Sequence, residues 1–282
     1  MDKFYYRWAS SLGDLEDSPE NIWGVKKWHW WRNRNDTTVF CGMYDLRDYL
    51  ALLWHNGKKY CWWAGSDIRN LQDEFLFNDG KLKWFSQRFQ GFRGLLFKVL
   101  DTAEHWVENE AEFWALKHMG IDSQICPSFL GDVKKFQVCF EPSNRPKVYT
   151  SVSGDKFDLY KWNEIVELAD KYSEIEFHLY GNTKPFSYIS EGNNVFVHGR
   201  VSKEQMNVEI KEMQGALRLL PLEGFSEIIA KSVLMGQWPI SAIKYPFTLS
   251  VEELGTLKDK REPNLEGRKY YVEKLNSYPW VV

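Results

Sequence analysis

Along this chain, short apolar runs that stop at glycine alternate with longer stretches whose apolar residues recur every three or four positions. TTVFCG (37–42) predicts a buried strand. Asp45 to His55 predicts a helix, with Leu46, Tyr49, Leu50, Leu53 and Trp54 at helical spacing and Gly57 beyond it. KKYCWWAG (58–65) predicts the next strand, and Ser66 and Asp67 stand where a helix N-cap belongs. LLFKVL (95–100) predicts a strand, and Glu104 to Met119 predicts one amphipathic helix stopped by Gly120. Residues 1–35 carry no such rhythm and read as irregular.

The second half repeats the alternation. Strands are predicted at PKVYTSVSG (146–154), IEFHLYG (175–181), NVFVHGRV (194–201), GALRLLPLEG (215–224, with its loop) and WPISAI (238–243). Between them lie helices at Asp158–Lys171, from Ser202 onward, and at Ser226–Gly236, with a helical tail from Pro263 to Asn276. Strand–helix–strand alternation implies a parallel α/β sheet with loops converging at the C-terminal strand ends. The polar, proline-bearing EPSNRP (141–146) reads as a linker. The expected organisation is an N-terminal domain over 1–145, a C-terminal domain over 146–262, and a helix and tail over 263–282 that pack back toward the first domain.

Composition narrows the classes. The net charge of −3 gives no global attraction to nucleic acid or anionic membrane, so any such attraction must be local. No apolar run approaches the ~20 residues of a membrane span, and the N-terminal sequence lacks the apolar stretch of a secretory signal. A cytoplasmic location is therefore expected, with a peripheral membrane contact left open. Cys41, Cys61, Cys126 and Cys139 form no CxxC pair, and three of them sit in apolar stretches as ordinary buried thiols. There is no Asp-x-Asp motif and no His/Cys cluster, so no metal and no resident cofactor is expected.

The stretch NVFVHGRVSKEQM…GALRLLPLEGFSEIIAKSVLMGQWPIS resembles the donor half of GT-B glycosyltransferases of the retaining E-x7-E type. Gly199, Arg200 and Val201 match one piece, Glu223, Gly224, Phe225 and Ser226 a second, and Met235, Gly236, Pro239 and Ile240 a third, over about 50 residues. The resemblance implies two Rossmann-like domains facing a cleft and a nucleotide-sugar donor, UDP-sugar favoured, as cosubstrate. It implies transfer to a hydroxyl acceptor, metal-independent and with retention of configuration. Glu223 would hold the donor sugar, and the backbone at Arg200 and Val201 would read the base. Free N–H groups where Ser226 opens a helix suit a diphosphate, and Gly224 allows close backbone approach. Gly181, Gly199 and Phe225 complete this donor set. Gly154 and Lys156, in the loop SVSGDKF (151–157), form a second phosphate candidate, with Lys156 a catalytic charge; Lys161 lies one turn on.

One departure stands out. Where the family carries a second glutamate, this chain has Lys231, which has donors only. Lys231 either meets a phosphate or sugar carboxylate, or pairs with Glu227 at i,i+4 on the helix surface. On the acceptor side, the loops after the first strands offer Gly42, Tyr44 and Asp45, then Ser66 and Asp67. Asp45 and Asp67 either orient or deprotonate an acceptor hydroxyl or simply cap helices. His105, in AEHWVENE, is a further catalytic candidate with a structural alternative.

Two basic, aromatic patches bear on the acceptor, 23–34 and KLKWFSQRFQGFRGLLFK (81–98), neither containing an acid. They read as a DNA surface, as a peripheral membrane surface for a lipid-linked acceptor, or as helices whose aromatics are core. The acceptor classes are thus a glycan, a lipid-linked or a small molecule. The alternatives are a phage-like enzyme modifying hydroxymethylated pyrimidines in DNA, or a non-catalytic nucleotide-sugar or carbohydrate-binding protein.

Overall fold

The computed structural model describes residues 4–12, 16–76, 80–152, 156–181 and 194–281. The chain divides into two compact units. The first comprises Met1–Asp132, Leu222–Phe225 and Lys274–Val282; the second comprises Val133–Pro221 and Ser226–Glu273.

In the first unit the elements run β1 (Phe4–Trp8), α1 (Pro19–Trp23), β2 (Lys26–Lys27), β3 (Thr37–Cys41), α2 (Leu46–Trp54), β4 (Lys59–Trp62), α3 (Ser66–Gln72), α4 (Lys81–Arg88), α5 (Phe92–Leu100), β5 (Glu104–Val107), α6 (Glu110–His118) and β6 (Ser123–Ile125). The strands form one sheet in the order β2-β1-β3-β4-β5-β6, and every pairing is parallel. On one face of the sheet, Phe40 and Trp63 pack into a core with Leu52 of α2, Leu71 of α3 and Leu100 of α5. The other carries Tyr60 and Trp62, which pack with Trp23 of α1 and with Tyr278 and Trp280. There Trp62 Nε1 donates to Tyr278 Oη at 2.9 Å, and Tyr278 stacks on Trp280 with centroids 4.5 Å apart.

The second unit holds β7 (Lys147–Val152), α7 (Trp162–Lys171), β8 (Glu176–Gly181), β9 (Val195–Gly199), α8 (Lys203–Glu209), β10 (Gly215–Arg218), α9 (Glu227–Leu234), β11 (Ile240–Ser241) and α10 (Leu265–Lys274). Its sheet order is β11-β10-β7-β8-β9, again wholly parallel. Its core is built on Val148, Trp162, Ile165, Phe177, Leu179 and Leu217. Among the described residues, no helix is long and apolar enough to cross a membrane.

Four sequence expectations are corrected. Residues 1–35 are not irregular, since β1 lies inside the sheet between β2 and β3; its aromatic run FYYRW hid the strand pattern. LLFKVL belongs to helix α5: Leu96, Val99 and Leu100 are buried at helical spacing while Leu95 and Lys98 face water. Glu104–Met119 is strand, break and helix. His105 and Val107 are buried alternately in β5, and Asn109 then caps α6 by accepting from Glu112 N at 3.0 Å. WPISAI contributes only Ile240–Ser241 to the ladder.

Candidate functional site

In an open parallel sheet, ligands favour the crevice beyond the C-terminal strand ends where the strand order reverses. In the second unit that point lies between β7 and β10, since the chain proceeds from β7 outward through β8 and β9, then returns to β10 on the other side. Four donor candidates gather along this rim or just past it. Gly181 ends β8 and Gly199 ends β9, opposite Tyr180. Gly181 has φ +124, and a Cβ there would strike the Val152 carbonyl, so the ladder at this end requires glycine. Arg200 is exposed and Val201 half-buried immediately beyond β9. Lys156 is exposed past β7, whereas Gly154 lies outside the described residues.

Helix α9 is fixed to the same rim. Tyr149 Oη on β7 donates to the Ile228 carbonyl at 3.2 Å, and Ser232 Oγ accepts from Ala216 N on β10 at 3.1 Å. Ser226 occupies the N-cap position, with no hydrogen bond from its side chain to the helix start. Lys231 is buried and pairs with Glu227, Nζ to Oε1 2.7 Å; its ammonium lies 5.8 Å from the Phe136 ring centroid. Of the two readings of Lys231, the i,i+4 pair is present, but with its lysine buried and not on the helix surface.

Arg218 was not foreseen. It closes β10 at the reversal point, donates to the Ser151 carbonyl at 3.0 Å, and lies 4.4 Å from the Tyr160 ring centroid. In GALRLL it reads as one polar residue inside an apolar strand; its place at the strand's last position was the signal.

The first unit presents a different rim. Asp67 is fully buried behind β4, and its oxygens accept from Met43 N (3.0 Å), Ala64 N (3.1 Å) and Ile68 N (3.0 Å). Burial pushes its carboxyl up to about 6. It does not cap α3 as expected, because Gly65 takes that position; it ties the β3 and β4 loops together. Asp45 is a true cap of α2, accepting from Arg47 N at 2.7 Å and Asp48 N at 3.3 Å. Gly42, buried with φ +80, turns the chain out of β3. Tyr44 Oη and Ser66 Oγ are 2.7 Å apart, a half-buried hydroxyl pair where these two loops meet. His105 is buried with both nitrogens engaged: Nδ1 accepts from Trp63 Nε1 (3.1 Å) and Nε2 donates to the Leu100 carbonyl (3.0 Å). Burial lowers its pKa to about 4, so the ring is neutral and structural.

Three residues the sequence reading passed over hold the segment Leu222–Phe225. Arg69 Nη1 donates to the Leu222 carbonyl (2.9 Å) and Asn109 Nδ2 to the Glu223 carbonyl (2.7 Å). Glu108 Oε2 accepts from Phe225 N (2.7 Å), and its Oε1 accepts from Ser128 Oγ. Glu112 Oε2 accepts from Glu108 N at 2.7 Å. Burial pushes Glu108 up to about 8, and burial with the neighbouring Glu108 carries Glu112 well above the carboxylate range. Gly224 is required here: a Cβ would collide with Glu108 Oε2, and a Cβ on Gly65 would collide with the Gly224 nitrogen. Glu223 itself is 8% exposed. The pattern Asn109-x-x-Glu112, a helix N-terminus signature, could have revealed the break that brings Glu108 to this position.

The two parallel α/β units have the GT-B fold. No family model matches the chain, and no curated protein sequence matches it. The solved structures similar to it are GT-B glycosyltransferases. TarM superposes with TM-score 0.55 at 13% identity, over 84% of this chain and 51% of TarM, so the chain spans about half of that protein's length. The lipopolysaccharide outer core galactosyltransferase WaaB gives 0.56 at 14% identity, over 85% of this chain and 71% of WaaB. Sucrose-phosphate synthase from Thermosynechococcus elongatus gives 0.55 at 13% identity, over 84% of this chain and 69% of that enzyme. A TarM mutant from S. aureus is complexed with fondaparinux, alpha-GlcNAc-glycerol and UDP.

Proposed function

We propose that the protein transfers a hexose from a UDP-sugar to a hydroxyl acceptor, without a metal ion and with retention of configuration. The observation that carries this reading is the rim of the second sheet. Two glycine-ended strands and the reversal point at Arg218 frame it, and helix α9 is anchored beside it in a GT-B fold.

In this reading the N–H groups of the first turn of α9 receive the diphosphate, helped by the charges of Lys156 and Arg218, while the Phe225 N–H stays committed to Glu108. Donors fixed before the reaction stabilise the developing charge on the leaving nucleotide. Glu223, its backbone fastened by Asn109, accepts from sugar hydroxyls. Arg200 and Val201 supply backbone contacts to the base. Lys231 acts through Glu227: the ammonium holds that carboxylate on the first turn of α9, and Glu227 supplies the acceptor oxygens that a lysine lacks. The hydroxyl pair of Tyr44 and Ser66 orients the acceptor. Asp45, Asp67 and His105 take no part, since their polar atoms are already used within the first unit.

A thermal-shift panel of UDP-sugars tests this. A ligand at 100 times its dissociation constant stabilises by ~2.7 kcal/mol. The shift should vanish in Glu223→Ala and survive EDTA. Release of UDP with no acceptor product would favour a hydrolase. A shift without UDP release would favour the binding-protein reading, for which the replacement of the second glutamate by Lys231 is the supporting observation. No shift with any UDP-sugar would end the proposal.

A further inference from the structure

The two helices of residues 81–100 expose what soluble helices usually bury. On Lys81–Arg88 only Leu82 is buried, and Lys81, Trp84 and Arg88 share an outward stripe at i, i+3 and i+7. On Phe92–Leu100 the inward residues are Leu96, Val99 and Leu100, while Leu95 and Lys98 face out. Trp84 is 56% exposed, Phe89 in the connecting turn 50% and Leu95 59%. Between residues 81 and 100 there are five basic residues and no acid, in a chain whose net charge is −3. Arg93 pairs with Glu74 at 3.0 Å. On the neighbouring helix Leu46–Trp54, Leu50 and Leu53 are also exposed.

The arrangement of the rings identifies the partner. Trp84, Phe85, Phe89 and Phe92 pack against one another, with Phe85 stacked on both Phe89 and Phe92 at 5.7 and 5.3 Å and Trp84 set edge-on to Phe85 at 4.9 Å. Their faces are turned largely toward each other, not laid out in a row as stacking platforms for bases. Exposed leucines have no role against nucleic acid, but they partition into acyl chains. A second copy of the same face would oppose lysine and arginine to lysine and arginine, because a two-fold interface joins identical patches. Apolar tips set among five basic residues, in a stretch without an acid, match the boundary of an anionic bilayer.

We propose that the paired helices Lys81–Arg88 and Phe92–Leu100 are a docking surface for an anionic membrane. Trp84, Phe89 and Leu95 enter the acyl boundary, while Lys81, Arg88 and Lys98 meet the headgroups. The contact stands independently of the UDP-sugar site and would leave donor-induced thermal shifts unchanged.

Vesicle co-sedimentation of the full chain tests it, with phosphatidylcholine alone against phosphatidylcholine carrying about one third phosphatidylglycerol. Binding is expected to the mixed vesicles only and to weaken with salt. Replacing Arg88 or Lys98 by Gln should each cost about fivefold in partitioning, and Trp84→Ser with Leu95→Ser about tenfold or more. These side chains are exposed, so melting temperatures should stay near that of the parent chain; a variant that melts much lower is replaced by Lys81→Gln with Arg88→Gln. Three results would overturn the proposal. One is no sedimentation with anionic vesicles. Another is equal binding by the variants. The third is loss of self-association, or of single-stranded DNA retention, in the variants while the parent ignores vesicles.

Discussion

The two sheets are both wholly parallel, yet their strand orders differ and their rims are opposite. In the first unit the groups beyond the strand ends are carboxylates, Asp67, Glu108 and Glu112, and each is buried and engaged by main-chain N–H groups. In the second unit the corresponding positions hold glycines and cations, Gly181, Gly199, Arg200 and Arg218, of which Arg200 is exposed, Gly181 half-buried and the other two buried. A parallel sheet fixes where loops converge, not what they offer. Buried acids tied to main-chain N–H groups fix the loops around them. A rim of glycines and cations lets backbone and positive charge reach an anion.

Breaking the first rim should have the largest effect. Glu108→Ala strips Phe225 N and Ser128 Oγ of their acceptor inside a buried site, and a loss of about 3 kcal/mol is expected in urea unfolding. Gly224→Ala forces a methyl against Glu108 Oε2 and should cost about 1–3 kcal/mol, with much of the loss recovered in a Gly224→Ala, Glu108→Ser double variant.

The same rim predicts a pH signature. Burial raises the Glu108 carboxyl from its ordinary 4.5 to about 8 and Asp67 from 3.8 to about 6. Between those limits the folded chain keeps protons that the unfolded chain has released. The associated stability is therefore complete below the ordinary values and is lost as pH rises through the folded ones. Melting temperature should fall from pH 5 to pH 8 (~3 pH units), and Glu108→Gln, which stands in for the protonated acid, should flatten that slope. A parent chain with no slope in this window would remove the buried-acid account.

The second rim should respond in ligand binding more than in stability. Lys231→Met keeps the bulk beside Phe136 but releases Glu227, which is partly exposed, so the stability change should stay within about 1 kcal/mol. UDP-sugar affinity should fall about fivefold by thermal shift if the lysine positions that carboxylate. Unchanged affinity would leave the pair a purely structural contact.

What could be read from sequence followed the same divide. Two of the second unit's strands are apolar runs closed by glycine, so FHLYG and FVHG marked both element and strand end. In the first unit the signals conflicted. LLFKVL has a strand's composition and a helix's buried face. In AEHWVENEAEF a strand hands over to a helix within two residues, and only the capping asparagine marks the join. Misreading that join hid Glu108 and drew notice to His105, whose nitrogens the fold consumes. Glu223 and Gly224 were legible as a loop motif. That Arg69, Glu108 and Asn109 hold this loop was not, because those partners lie more than a hundred residues away in sequence.

The aromatic packing of Trp23 and Trp62 against Tyr278 and Trp280 bears on how the polypeptide acquires its shape during synthesis. The ribosome delivers the first six strands long before the residues that seal one side of their sheet. Until residue 280 emerges, that side is an open apolar surface, and the early strands must wait for the last stretch of chain. Such far-apart closure slows assembly and leaves nascent material prone to sticking. A fragment ending at residue 132 would retain that open side for good.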